Sequence, residues 1–216
     1  MSFSDSFEYK VVYAHRRSMS VKIGDDNTVT VRCPVGTPMG RIEDFINSKK
    51  GWLMRHMAAN ASVLAQFSDV LSMKKILVGG RFYDLRVGAA NNIAEGVVNV
   101  KSIAALKNLY VKALGEDFLS RFKKFARENS FAYGDVSFRA YKGRWGCCDA
   151  SNNITFNYKL LMLPEELQNA VIAHELCHTK YHNHSSSFHK LLDCVFPQNR
   201  VCEKMLKHYA FVARMY

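Results

Sequence analysis

Nowhere do the six cysteines of this chain (33, 147, 148, 177, 194 and 202) form a Cys-x-x-Cys pair. That absence speaks against a thiolate zinc site. Also missing is an apolar leader. The first thirty residues alternate polar with apolar, and no later run approaches the ~18 consecutive apolar residues that a membrane span needs. Without a secretion signal the thiols should stay reduced, and the neighbours Cys147 and Cys148 are poorly placed to bridge each other. The expectation is a cytoplasmic protein with no membrane partner. Acidic residues are scarce beside basic ones, 19 against 30, giving a net charge of +11. Such a balance raises nucleic acid or a nucleotide as a partner, with a solvated basic surface as the plainer account. Repeats, low-complexity tracts and Gly/Ser- or Pro-rich linkers are lacking too, so any two halves should pack together. What is plentiful is apolar residues, 48% of 216, ample for a real core.

Periodicity divides the chain. "FEYKVVY", "SMSVKIG" and "TVTVRC" alternate like strands, and "GDDN" between the last two has the turn chemistry of a hairpin. The stretch 37–57 reads as a helix with Thr37 as N-cap, Pro38 at the first helical position and Ile42, Phe45, Ile46, Lys49 and Leu53 on one face. Two strands flank Gly79-Gly80, and "VVNV" at 97–100 offers another. From Leu106 to Phe125 apolar residues keep helical spacing despite Gly115, and strand-like runs follow at 136–141 and 154–157. This is an α+β chain. A β-rich region with one long helix occupies 1–103, and 104–216 is a half in which helices flank a small sheet, with a soft boundary near 103.

The chemistry gathers in "PEELQNAVIAHELCHTKYHNHSSSFH", which holds five of the eight histidines. Pro164 suits the first turn of a helix, and Glu165 and Glu166 favour its positive end. Leu167, Ala170, Val171, His174, Cys177, His178 and Tyr181 then share one stripe. Two imidazoles on an apolar face lose water, whereas His174 and His178, four apart, can aim both rings at one ion. With Glu175 between them the motif is H-E-x-x-H. The histidines hold zinc and the glutamate takes a proton from water whose pKa the metal lowers toward ~7. The plain alternative, two core histidines bonded to carbonyls, leaves the glutamate and the further histidines unexplained.

Catalytic zinc takes three protein ligands and keeps a position open. If the helix continued, His182 would stand about 12 Å along it from His174, too far for ligand bonds near 2 Å. The third ligand should lie past a break. Asn183 tolerates the left-handed conformation that ends helices, and His184 can then turn back to the metal. Tyr181 stands where metalloproteases of the H-E-x-x-H-x-x-G-x-x-H pattern have glycine. "HSSSFHKLLDCVF" restarts a helix with Ser185 as cap and Phe188, Leu191, Leu192 and Val195 inward; His189, a turn in, can face the pocket and bind substrate.

"SFRAYKGRWGCCDASNNITFNYKLLMLPEELQNAVIAHELCHTKYHNHSSSFHKLL" resembles the signature block of the YgjP-like family of metal-dependent hydrolases, zincin-type proteins related to the SprT-like metallopeptidases. The likeness spans almost the whole chain. Arg144, Trp145, Gly146 and Cys148 match the family's strand, Asn157 its asparagine on the next, Pro164 the helix start, His174–His178 the motif, and Asn183, His184 and Ser185 the stretch supplying the third ligand. Cys147 replaces a serine, and His189 replaces a common tryptophan. The resemblance implies a zincin-like second half and a strand beside the metal helix along which peptides bind. Arg144 could clamp a carboxylate or phosphate there, Trp145 and His189 could line the substrate cleft, and Asn157 could hold a ligand imidazole from outside. Tyr141, Tyr158, Tyr181 and His189 all lie near enough in sequence to stabilise an oxyanion, and none stands out.

The leading expectation is a zinc-dependent metallopeptidase with Glu175 as general base and a peptide or protein substrate. Rivals are a UTP pyrophosphatase, a nucleic-acid-associated protease of the SprT-like kind, and a non-enzymatic module with structural zinc.

Overall fold

The computed structural model describes residues 2–4, 7–24, 27–88 and 90–215. It divides into two compact units, Met1–Ser68 and Asp69–Tyr216.

The first unit is a four-stranded sheet in the order β1-β2-β4-β3 beside a long helix. Its strands are β1 (Ser2–Ser4), β2 (Phe7–Ala14), β3 (Ser20–Ile23) and β4 (Val29–Pro34). β2 and β4 run parallel, and β3 joins β4 as the expected hairpin. Asn27 takes the left-handed conformation at φ 62°; residues 25 and 26 of the predicted turn lie outside the described residues. Helix α1 spans Met39–Gln66, well past its predicted end. It buries Ile42, Ile46 and Leu53 against Phe7, Tyr9, Val29, Val31 and Cys33. Thr37 does not cap it. Its hydroxyl donates back to the Pro34 carbonyl at 2.8 Å, and Pro38 occupies the N-cap position in extended conformation. Proline fixes φ near −65°, which suits either place, and its carbonyl opens the helical bonds.

The second unit begins with the short helix α2 (Ser68–Leu71), whose first residue closes the first unit, and a four-stranded sheet ordered β5-β6-β8-β7. Its strands are β5 (Lys75–Val78), β6 (Arg81–Val87), β7 (Asn92–Ala94) and β8 (Val97–Val100). Gly79 and Gly80 at φ 56° and 82° make the tight hairpin turn foreseen between β5 and β6. Helix α3 (Leu106–Glu128) follows, with Phe118 and Phe122 packed edge-on against Phe156 at 4.9 and 5.7 Å. Gly115, buried, leaves room for the Phe138 ring, whose edge would lie 3.7 Å from an added Cβ. A three-stranded sheet ordered β10-β11-β9 carries β9 (Val136–Arg139), β10 (Gly146–Cys148) and β11 (Ile154–Asn157). A buried 3-10 turn over Tyr158–Met162 leads to α4 (Glu165–His178), and α5 (Ser186–Val195), α6 (Asn199–His208) and α7 (Ala210–Arg214) close the chain.

The compact units therefore part well before the soft boundary at 103, because β5 and its turn bond to the far half of the chain. The amides of Gly79 and Gly80 donate to the carbonyls of Leu161 and Met162 at 3.2 and 2.8 Å, and the Tyr110 hydroxyl donates to Leu77 O at 2.6 Å. A Cβ on Gly80 would stand 2.6 Å from Pro164 Cγ, at the start of α4. Positive φ and this clash together should make Gly80→Ala cost about 1–3 kcal/mol. Gly88→Ala, where an added Cβ meets nothing within 4 Å, should be nearly neutral. Urea midpoints of the two variants check this, and equal midpoints would remove the turn from the support of α4.

Candidate metal centre

α4 is fixed in rotation by contacts away from its histidines. Arg121 on α3 donates to Asn169 Oδ1 at 2.7 Å and Gln168 Oε1 at 2.6 Å, while Gln168 Nε2 donates to Leu163 O at 2.7 Å. Pro164 holds the N-cap position, and its carbonyl accepts from the amides of Leu167 and Gln168. The helix is buried on most sides, from Leu167 to Cys177, so its orientation leaves His174 and His178 little choice of direction.

The helix ends at His178, earlier than the stripe through Tyr181 suggests. The turn comes at Thr179 and Lys180, where the Thr179 hydroxyl bonds back to Leu176 O at 2.8 Å and competes with helical continuation. Asn183 is not among the residues at positive φ. Its Oδ1 accepts from the Ser185 amide at 3.2 Å instead, so an Asx turn redirects the chain. Ser185 then caps α5 by accepting from the Phe188 amide at 3.4 Å.

His184 comes back to α4 by this route. His178 Nε2 and His184 Nε2 each stand 3.1 Å from His174 Nε2, and these three histidines form a group able to hold one ion. Two nitrogens bound ~2.0–2.1 Å from a tetrahedral zinc are about 3.3 Å apart, so the donor set fits such an ion. His178 Nδ1 lies 3.0 Å from Tyr181 O; a carbonyl only accepts, so the proton sits on Nδ1 and the Nε2 lone pair is free for a metal. Burial first, then the neighbouring histidines, push His174 down to about 4, which keeps its ring neutral and ligand-ready. Burial also lowers His178, with the Tyr181 carbonyl opposing. Phe188, fully buried, stacks on His178 at 4.5 Å and meets His174 and His184 edge-on at 5.0 and 4.9 Å. Sequence periodicity marks it only as an inward residue; its contact with all three rings comes from the tertiary fold. His182 is exposed and stands outside the group.

Glu175 is 5% exposed, and burial raises its carboxyl to about 8 against the pull of the Arg144 guanidinium. β10 passes so near that a Cβ on Gly146 would lie 2.7 Å from Glu175 Oε1. Glycine in a strand often marks such a close approach, and this signal was present in the motif. Arg144, Trp145, Gly146, His174, Glu175, His184 and His189 share one cavity of about 350 Å³. Arg144 also lies 5.6 Å over the Tyr141 ring. Asn157 is fully buried but spends its amide protons on Tyr141 O and Arg144 O, at 2.9 and 3.0 Å, and accepts from the Lys159 amide. It therefore braces the segment leading into β10 rather than a ligand imidazole. Leu192, Asn199, Glu203 and Leu206 also line the cavity; the last three come from α6, a helix that the sequence pattern did not delimit.

No curated protein matches this chain. Among solved structures, the crystal structure of the metallopeptidase zymogen of Pyrococcus abyssi abylysin is similar at 24% identity and a TM-score of 0.38, over 41% of this chain and 90% of that one. No helix among the described residues is long and apolar enough to cross a membrane. The model of the YgjP-like metallopeptidase domain matches residues 17–209, so this α+β chain with its converging histidines belongs to the YgjP-like family and is a metal-dependent hydrolase.

Proposed function

We propose that the cleft is a zinc peptidase site in which His174, His178 and His184 hold the ion and Glu175 is the general base. The observation that carries this reading is the convergence of three imidazole nitrogens, 3.1 Å from one to the next, beside one buried carboxylate. A bound divalent cation would supply Lewis-acid activation of water, and its charge would favour the ionised form of Glu175. Glu175 takes the proton of the attacking water on a carboxylate oxygen and returns it to the leaving amine. Its burial excludes bulk water from that transfer, and Gly146 lets the β10 backbone approach it without a side chain in the way. Arg144 and Trp145 bind the substrate backbone along β10, and His189 walls the cleft on the α5 side. A structural zinc module fits less well, because such sites close with a fourth residue. Neither the nucleotide nor the nucleic-acid reading of the +11 charge gains support from the family. The free cysteines suit a reducing, cytoplasmic setting.

The test is removal and return of the metal. Stripping with a chelator should abolish cleavage of an unstructured peptide, and about one zinc per chain should restore it. A zinc-loaded protein that cleaves UTP and leaves every peptide intact would overturn the peptidase reading.

A further inference from the structure

Beside the histidines, the cavity has lining residues that no motif of the sequence accounts for. Among the residues that line it are the apolar Val171 on α4, Leu192 on α5 and Leu206 on α6, the first two buried. Asn199 and Glu203, on the same helix as Leu206, line it too. Both amide protons of Asn199 are committed, to Asp193 Oδ1 at 2.7 Å and Phe196 O at 3.1 Å, so only its carbonyl oxygen remains to receive a donor. Glu203 can only accept when ionised. Its one recorded ion-pair partner among the described residues is Lys207, at 3.4 Å, with both side chains about seventy per cent exposed. An exposed pair of this kind holds weakly and yields to a competitor. A lining that joins aliphatic side chains to two acceptors matches a long apolar stem tipped by a cation, the way lysine and arginine bury their methylenes and keep the charged head at a polar rim.

We infer that this part of the cavity receives the substrate side chain next to the scissile bond and selects lysine or arginine there, with Glu203 as the specificity-determining residue. The inference rests on the peptidase reading above. It also separates two charges in the cleft: Arg144 lies on the Glu175 side, and the carboxylate of α6 faces the incoming cation.

Norleucine is the discriminating probe, because it keeps the lysine stem and lacks the ammonium. Zinc-loaded parent protein is offered matched unstructured peptides with a single lysine or a single norleucine among small residues, and cleavage positions are read by mass spectrometry. The parent should cut beside lysine with kcat/KM about fivefold or more above norleucine, and Glu203→Gln should bring the two within about twofold by slowing lysine alone. Leu206→Trp, which fills that part of the cavity, should slow both by about tenfold or more. Glu203 is exposed, so its Gln variant should fold as the parent does. Equal rates on the two peptides, or a preference that Glu203→Gln leaves unchanged, overturns the assignment and leaves the peptidase reading standing. Failure to cut either peptide or any other removes that reading, and this one with it.

Discussion

Glu175→Gln should keep its metal and lose its catalysis: zinc content at the parent level, turnover down by ~10² to 10⁴, the range for a lost acid-base group. Gln matches the glutamate in size and fits beneath Gly146, where an added Cβ would already stand 2.7 Å from Oε1. The amide cannot take up a proton at any pH of interest. Folding should not suffer, since burial already disfavours the charged carboxylate at this 5% exposed position. Zinc by elemental analysis and peptide cleavage by the same preparation must therefore part company. A variant with full zinc and full activity would falsify the general-base role, whereas one that loses both would point to a ligand or a structural residue.

The second large effect separates two histidines two residues apart. His184→Ala should lower metal affinity by more than the ~10- to 100-fold typical of removing an outer partner, because Nε2 of His184 is itself one of the converging donors. His182→Ala should retain the ion. Dialysis at fixed free zinc followed by elemental analysis reads the difference directly. Loss of metal with the His182 variant and retention with the His184 variant would reassign the third ligand.

How much of this the sequence discloses depends on the range of the interaction. H-E-x-x-H is legible because a four-residue spacing places two side chains on one face of a helix whatever surrounds it. The return of His184 toward His174 is expected from helix length and a break at Asn183; the three rings do converge, although the chain turns at Thr179 and uses Asn183 as an Asx acceptor rather than a left-handed residue. Local signals also fail in recognisable ways. Tyr158–Met162 is a continuous buried run with no period to read, and its Lys159, 2% exposed, finds its acceptor at Ala213 O, 2.9 Å away in space and far along the chain. β10 is three residues long, too short for alternation to register. Glu203 and Leu206 reach the cleft only because α6 packs against α4, and Asn157 shows its task only once the segment before β10 is in place. The α+β pattern, by contrast, is carried by local alternation and helical spacing, and survives the shift of the division to Ser68.

The bonds from Gly79 and Gly80 to Leu161 and Met162 bear on how the protein can be cut. A fragment beginning at residue 104 would carry the three converging histidines and Glu175, and would look like a minimal catalytic domain. It would also strip donors from two buried carbonyls, deprive the Tyr110 hydroxyl of its acceptor at Leu77, and uncover the surface that Ile76, Leu77 and Val78 now bury. Each lost hydrogen bond is worth about 0.5–1.5 kcal/mol net and the uncovered apolar surface costs roughly 25 cal/mol per Å² more, together a large share of the ~5–15 kcal/mol that holds a typical domain together. The shortest useful piece of this chain therefore starts near Asp69, and the hairpin ahead of the catalytic half is part of its foundation.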